Sequence, residues 1–274
     1  MLRLPRACQK RVTQTDSTWT HWQPKTDRRV KRMANTDRIN RVTLLQKIIN
    51  RKKNVSYLEI GVLAGDTFLR IKARHKWGVD PDFGIEPVKK ARYYLKNLFN
   101  VFNRYYQMES NTFFDTHREL LSRFGLDVVF IDGLHTFAQS LTDVQSALQH
   151  LNKNGVIMLH DCNPPSEVAA IPAQSIQEIQ KLNPPGFTGT WNGDVWKTIA
   201  YLRATRNDLH IFVIDCDFGL GVITRGTPEN TLKYSAEEVE NLAYRDLSHN
   251  RKSILNLKDV AYLETFLNTL EPRR

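Results

Sequence analysis

Three short segments put acids and imidazoles where apolar runs give way to turns. The first is Leu58-Glu59-Ile60-Gly61-Val62-Leu63-Ala64-Gly65-Asp66. Its spacing is E-x-G-x-x-x-G, not the G-x-G-x-x-G that seats a pyrophosphate on a helix N-terminus. Glu59 sets a carboxylate beside this loop, which repels phosphate and favours a cationic ligand. Gly61 and Gly65 allow a tight turn and close backbone approach. About 20 residues later Asp80 ends the run Trp77-Gly78-Val79, where a carboxylate can accept both hydroxyls of a ribose. Glu109-Ser110 close a third such run, at the height of an adenine ring. A carboxylate for a cation, a glycine loop and a ribose acid together describe S-adenosylmethionine, with Glu59 near its methionine amino end. The plainer reading is a strand-turn-helix whose glycines only reverse the chain.

The second and third segments are Asp132-Gly133-Leu134-His135 and His160-Asp161. Neighbouring parallel strands lie about 4.8 Å apart. Asp132 and Asp161 can therefore converge, and with His160 they offer two carboxylates and an imidazole to a divalent metal. Asp132 also borders the cofactor site. His135 is the candidate general base, since imidazole titrates near neutrality. The plainer alternatives are a helix-capping Asp132 and a backbone-bonded His135. Cys162 reads as a buried inert thiol. A further loop, residues 186–197, holds Trp191, Asp194, Trp196 and Lys197. Trp191 can close over a substrate, and Asp194 is either a substrate contact or the N-cap of the following helix. Trp196 reads as core.

Elements must position these groups. Hydrophobic periodicity predicts helices near 37–51, after Asp66, and at 87–100, 113–124, 136–151, 173–182, 195–204, 235–247 and 258–270. Strands are predicted at 55–60, 77–80, 104–108, 127–132, 156–159, 209–214 and 220–224. This alternation predicts an α/β fold, a doubly wound, mostly parallel sheet covered on both faces. The last two strands are too close for a helical crossover, so they form an antiparallel hairpin at one edge.

The chain has 274 residues and a net charge of +10. Nine Lys+Arg and three Asp fall in residues 1–37, which lack hydrophobic periodicity. That segment is expected to be a basic, poorly ordered arm, with a transit peptide or a true start at Met33 as alternatives. Residues 38–274 are expected to be one domain. Three cysteines without metal-finger spacing exclude a disulfide framework and suggest a reducing, cytoplasmic setting. No apolar run is long enough to span a bilayer, so no membrane partner is expected. The strand ends carry Glu59, Asp80, Glu109, Asp132 and Asp161, an acidic set that argues against nucleic acid.

Residues 55–224 resemble class I S-adenosylmethionine-dependent methyltransferases. Within them the chain is similar to the macrocin-type sugar O-methyltransferases and cephalosporin-hydroxylase-like proteins. YLEIGVLAGDT (57–67), GVDP (78–81), FIDGLHTF (130–137) and LHDCNP (159–164) carry the resemblance. It implies a Rossmann-like methyltransferase sheet, a metal-binding Asp132 and a catalytic His135. It departs at His160-Asp161, where the sugar enzymes carry two acids. Imidazole suits manganese, iron or zinc better than magnesium. The expected function is methyl transfer to a hydroxyl of a small molecule, a sugar or polyhydroxylated metabolite, with Mg²⁺ or another divalent metal assisting. The alternatives are a nucleic-acid methyltransferase and a non-catalytic S-adenosylmethionine-binding protein. Asn163-Pro164-Pro165 lacks the aromatic of a base-flipping motif, and the glycine spacing argues against an NAD enzyme. Association into a homo-oligomer is left open.

Overall fold

Eight strands form one sheet in the order β3-β2-β1-β4-β5-β7-β6-β8. The computed structural model describes residues 39–270. The arm predicted at 1–37, with its alternatives, lies outside the described residues. The strands are β1 (Ser56–Ile60), β2 (His75–Asp80), β3 (Asn103–Gln107), β4 (Leu126–Ile131), β5 (Leu151–Leu159), β6 (Leu209–Ile214), β7 (Leu220–Arg225) and β8 (Leu257–Lys258). Strands β3, β2, β1, β4 and β5 are parallel, β7 runs antiparallel to β5, and β6 runs antiparallel to β7. The predicted doubly wound sheet and its antiparallel hairpin are therefore present. The outermost edge is the two-residue β8, which pairs parallel to β6.

The helices are α1 (Arg41–Asn50), α2 (Pro87–Lys96), α3 (Ser110–Thr116), α4 (Arg118–Phe124), α5 (Phe137–His150), α6 (Ile176–Leu182), α7 (Trp196–Thr205), α8 (Ala236–Glu240), α9 (Tyr244–Leu255) and α10 (Tyr262–Thr269). Strand pleating sends alternate side chains to opposite faces. Leu58, Ile60, Val129, Ile131, Ile157 and Leu159 therefore build one core. Tyr57, Val128, Phe130, Val156 and Met158 build the other. The α1 stripe Leu44, Leu45, Ile48 and Ile49 seals the second, and an Asn40–Thr43 capping box starts that helix.

One predicted helix is missing. Residues after Asp66 form turns, not a helix. Their carbonyls find other donors. Lys76 Nζ donates to Phe68 O at 2.7 Å, Ile71 O at 2.8 Å and Asn100 Oδ1 at 2.8 Å. The Asn97 and Asn100 side-chain amides donate to Leu69 O at 3.1 and 3.0 Å. Three buried polar side chains thus do what helical amides would have done. The predicted 113–124 helix is also divided, at His117, into α3 and α4.

From β1 the chain winds outward through β2 and β3, then returns to β4 on the other side of β1. In open α/β sheets ligands bind at such a switch point, beyond the carboxyl ends of the strands. Gly61 marks it. Its φ is +84°, and a Cβ there would lie 2.0 Å from the Asp132 carbonyl oxygen.

Candidate active site

A cleft of ≈ 940 Å³ opens above the carboxyl ends of β1, β2, β4 and β5. Glu59, Gly61, Asp80, Glu109, Ser110, Asp132, His135, His160, Asp161 and Trp191, all singled out from the sequence, line it. Gly65 and Asp194 lie off its wall. Gly65 closes a turn, its amide donating to Val62 O at 2.7 Å. Asp194 Oδ1 accepts the amide of Phe137, the first residue of α5, at 2.6 Å. It does not cap its own helix, which carries no side-chain cap.

Strand ends and backbone amides shape one end of the cleft. Asp80 Oδ2 accepts the Leu63 amide and Oδ1 the Asp82 amide, both at 2.8 Å. This fixes the carboxylate while each oxygen keeps a lone pair for a ligand hydroxyl. Glu59 is 1% exposed and accepts a hydrogen bond from the Tyr57 hydroxyl. Burial pushes its carboxyl up to about 8, against the pull of Tyr57 and Lys76. Burial likewise lowers the Lys76 amine to about 7. Ser110 Oγ donates to Asp143 Oδ1 at 2.6 Å, and Gln139 Nε2 donates to the same oxygen at 2.9 Å. Burial raises Asp143 to about 6.

The other end is a cluster of charged side chains. His135 Nε2 lies 3.6 Å from Asp132 Oδ1 and 3.3 Å from Asp161 Oδ2. Its Nδ1 meets the Trp191 carbonyl at 3.1 Å, and its ring stacks on that indole with centroids 5.0 Å apart. Donation from Nδ1–H to this carbonyl leaves Nε2 as the reactive nitrogen. Burial opposes charge on His135, but the two carboxylates outweigh it and raise its pKa. Gly193 makes the contact with the loop possible: a Cβ there would lie 1.8 Å from the His135 carbonyl oxygen.

His160 sits deeper, 4% exposed. Its Nδ1 lies 3.1 Å from Asp132 Oδ1 and 3.0 Å from Asp161 Oδ2, the same oxygens that face His135. Neither is in line for a hydrogen bond, so both ring nitrogens lack an aligned partner. Burial again opposes charge, and Asp132 and Asp161 override it, holding His160 well above the usual imidazole range. The Asp132 carboxyl is correspondingly held well below its usual range, despite burial, by His160, His135 and Arg41.

Sequence reasoning missed several participants. Arg41, at the start of α1, reaches Asp132 Oδ2 with Nη1 at 2.7 Å and Asp217 Oδ2 with Nε at 2.9 Å. Nothing local to Arg41 signals this. Asp217 lies in the β6–β7 turn, where Asp215-Cys216-Asp217 was an available acidic signal. Asn192, beside Trp191, donates to Asp161 Oδ1 and keeps a buried Oδ1 with no partner. Asp143 and Gln139 sit one helical turn apart on α5, where two polar groups on a core-facing stripe could have drawn notice.

One donor atom from each of Asp132, His135 and Asp161 lies within 4.8 Å of the others. Two carboxylates and an imidazole at this spacing fit a divalent ion. His135 completes this set, and His160, expected as the third ligand, lies deeper with Nδ1 3.1 and 3.0 Å from the same two oxygens. An ion and a proton on His160 therefore compete for Asp132 Oδ1 and Asp161 Oδ2.

Residues 58–162 match the family model of a methyltransferase domain. No curated protein sequence matches the chain. Among solved structures it is similar to the O-methyltransferase TomG of Streptomyces achromogenes, in complex with SAM, at 12% identity over 71% of this chain and 85% of that one, with TM-score 0.45. It is also similar to the MycE methyltransferase of the mycinamycin pathway, solved with Mg and SAH, at 16% identity over 68% of this chain and 48% of that one, with TM-score 0.37. At such distances the domain match and the strand order establish the fold, not these neighbours.

Proposed function

We propose that this chain, whose residues 58–162 match a methyltransferase domain, is a class I S-adenosylmethionine-dependent methyltransferase that methylates a hydroxyl of a small, polyhydroxylated acceptor. The observation that carries this is the convergence of His135 Nε2 on the Asp132 and Asp161 carboxylates in the same cleft that holds Glu59 and Asp80.

When bound, S-adenosylmethionine supplies a methyl group on a sulfonium, open to in-line displacement. Asp80 accepts the ribose hydroxyls, and Glu59 faces the methionine amino end. Ser110, oriented by Asp143, meets the adenine. At the far end His135 Nε2 takes the acceptor hydroxyl proton as the oxygen attacks. Asp132 and Asp161 stabilise the imidazolium that results, and the Trp191 carbonyl fixes the ring. Trp191 gives a planar face for the acceptor. In a metal-loaded site Asp132, His135 and Asp161 would instead hold a divalent ion, which would polarise the acceptor hydroxyl, and His135 Nε2 would then be a ligand and not the base. An acceptor hydroxyl, not a nucleobase, suits a cleft whose charged wall is acidic. Residues 38–274 act as a single domain, and we place the protein in the cytoplasm, in keeping with free Cys162 and Cys216.

The test is a ligand-shift screen on the full chain. S-adenosylmethionine and S-adenosylhomocysteine should raise the melting temperature by linkage, and NAD should not. A shift with NAD alone would sink the reading. Methyl transfer to a panel of polyols and glycosides, run with EDTA and with Mg²⁺, Mn²⁺ or Zn²⁺, then separates a metal-assisted site from a metal-free one.

A further inference from the structure

The segment that links β2 to β3 is built inside out. Helix α2 buries none of its residues. The buried side chains of the segment are the amides Asn97 and Asn100, fastened to Leu69 O, Ile71 O, Tyr93 O and Lys76. Phe83 and Ile85 pack on the core, but from Pro87 onward the large aliphatic and Phe side chains face outward: Val88, Leu95, Leu98, Phe99, Val101 and Phe102 are all exposed, Leu95 to 86%. They are six of the ten large hydrophobic residues found exposed among the described residues. Scattered exposed leucines are ordinary, but a concentrated group marks an interaction surface.

Charge identifies the occupant. Residues 87–104 contain Lys89, Lys90, Arg92, Lys96 and Arg104 and no Asp or Glu, and of these Lys89 is paired with Asp66 at 2.8 Å. Arg92 and Lys96 are exposed, and they share the outer helix face with Val88 and Leu95. Arg74, also exposed, lies over the Phe102 ring at 4.7 Å. We propose that this segment is a peripheral docking face for an anionic lipid bilayer, its apolar side chains entering the interface and its Lys and Arg meeting lipid phosphates or carboxylates. A second copy of the chain across a two-fold axis would set this basic face against itself. A nucleic acid would use the aromatics by stacking but has no use for Val88, Leu95, Leu98 and Val101. An anionic bilayer satisfies both characters at once.

No helix among the described residues is long and apolar enough to cross a membrane. The expectation of no membrane partner rested on the lack of such a span, which a surface-lying segment does not need. The segment begins just past the loop after Asp80, which packs on the cofactor loop through Gly84 N–H to Leu63 O at 3.0 Å. Docking there would leave the cofactor end of the cleft beside the lipid surface.

The test is co-sedimentation of the full chain with vesicles of phosphatidylcholine alone and of equimolar phosphatidylcholine and phosphatidylserine. Binding to the anionic vesicles only, weakened by added salt, is expected. L95E/L98E and R92E/K96E should each lower the partition on the order of tenfold or more. All four positions are exposed, and an unchanged melting temperature confirms folding. The basic residues 1–37 are present in every variant, so their contribution cancels. Undiminished binding by both variants, or none by the unmodified chain, overturns the proposal. So does self-association or oligonucleotide binding that L95E/L98E abolishes while vesicle binding is absent.

Discussion

The two ends of the cleft are built by different means. The cofactor end takes its shape from adjoining strands and backbone amides: Asp80 holds the amides of Leu63 and Asp82, and Gly61 lies against the Asp132 carbonyl. The reaction end is assembled from distant pieces of chain. Arg41 comes from α1, Asp132 and His135 from the turn after β4, and His160 and Asp161 from the turn after β5. Trp191 and Asn192 come from a long loop, and Asp217 from the β6–β7 turn. On the proposed reading, binding is set by local geometry and reactivity by a charge balance among remote residues. Substitutions at the two ends should separate affinity from rate.

The largest separation is expected at His135. His135→Ala removes the proposed base and should lower the methyl-transfer rate by about 10²- to 10⁴-fold. S-adenosylhomocysteine affinity, read by calorimetry, should stay within about twofold. A variant that keeps its rate would remove His135 from the chemistry. A variant that loses both rate and affinity would break the distinction between the ends.

Asp80→Ala is the converse. Losing the proposed charged acceptor for two ribose hydroxyls should weaken cofactor binding by roughly 10- to 100-fold. Some of that loss comes from freeing the Leu63 and Asp82 amides. Asp80→Asn keeps an acceptor oxygen and should recover part of it. The rate at saturating cofactor should change little. Unchanged affinity in Asp80→Ala would take this residue off the ribose.

The same division governs how much the sequence revealed. Strand ends bearing Glu59, Asp80, Asp132, His135 and Asp161 were legible because strand periodicity places them and α/β topology says which end matters. Arg41 and Asp217 were not. Arg41 is unremarkable in its own segment, the acidic run Asp215-Cys216-Asp217 names no partner, and only the placement of α1 and of the β6–β7 turn brings them together. The missing helix after Asp66 failed for a related reason. Phe68, Leu69 and Ile71 have helical spacing, but Lys76, Asn97 and Asn100 satisfy their carbonyls from outside the segment. Tertiary hydrogen bonding overrode local propensity.

Glu59 sharpens the cofactor end through pH. Burial raises its carboxyl from the usual 4.5 to about 8. The fold therefore prefers the protonated form. That contribution is complete below the usual glutamate value and is lost as pH rises through about 8. A cationic ligand prefers the ionised form. Between pH 7 and pH values above 8, the unliganded protein should lose thermal stability. Over the same window S-adenosylmethionine affinity should rise, by at most about tenfold. Glu59→Gln should flatten both trends. A parallel rise in stability and affinity would show that Glu59 does not face the cation.

The smallest effect tests whether the long loop belongs to the reaction end or only borders it. Asp194 holds the Phe137 amide at the start of α5, while Gly193 touches the His135 carbonyl. The loop is thus pinned on both sides of the short stretch between His135 and α5. Asp194→Ala removes a capping acceptor and should cost about 1 kcal/mol, read as a small drop in melting temperature. Asp194→Asn keeps an oxygen to accept that amide and should restore most of it. If Asp194 only pins the loop, acceptor KM should move in Asp194→Ala in step with stability and recover in Asp194→Asn. If it touches the acceptor directly, KM should stay raised in Asp194→Asn although stability has returned, and Asp194 would then join the reaction end.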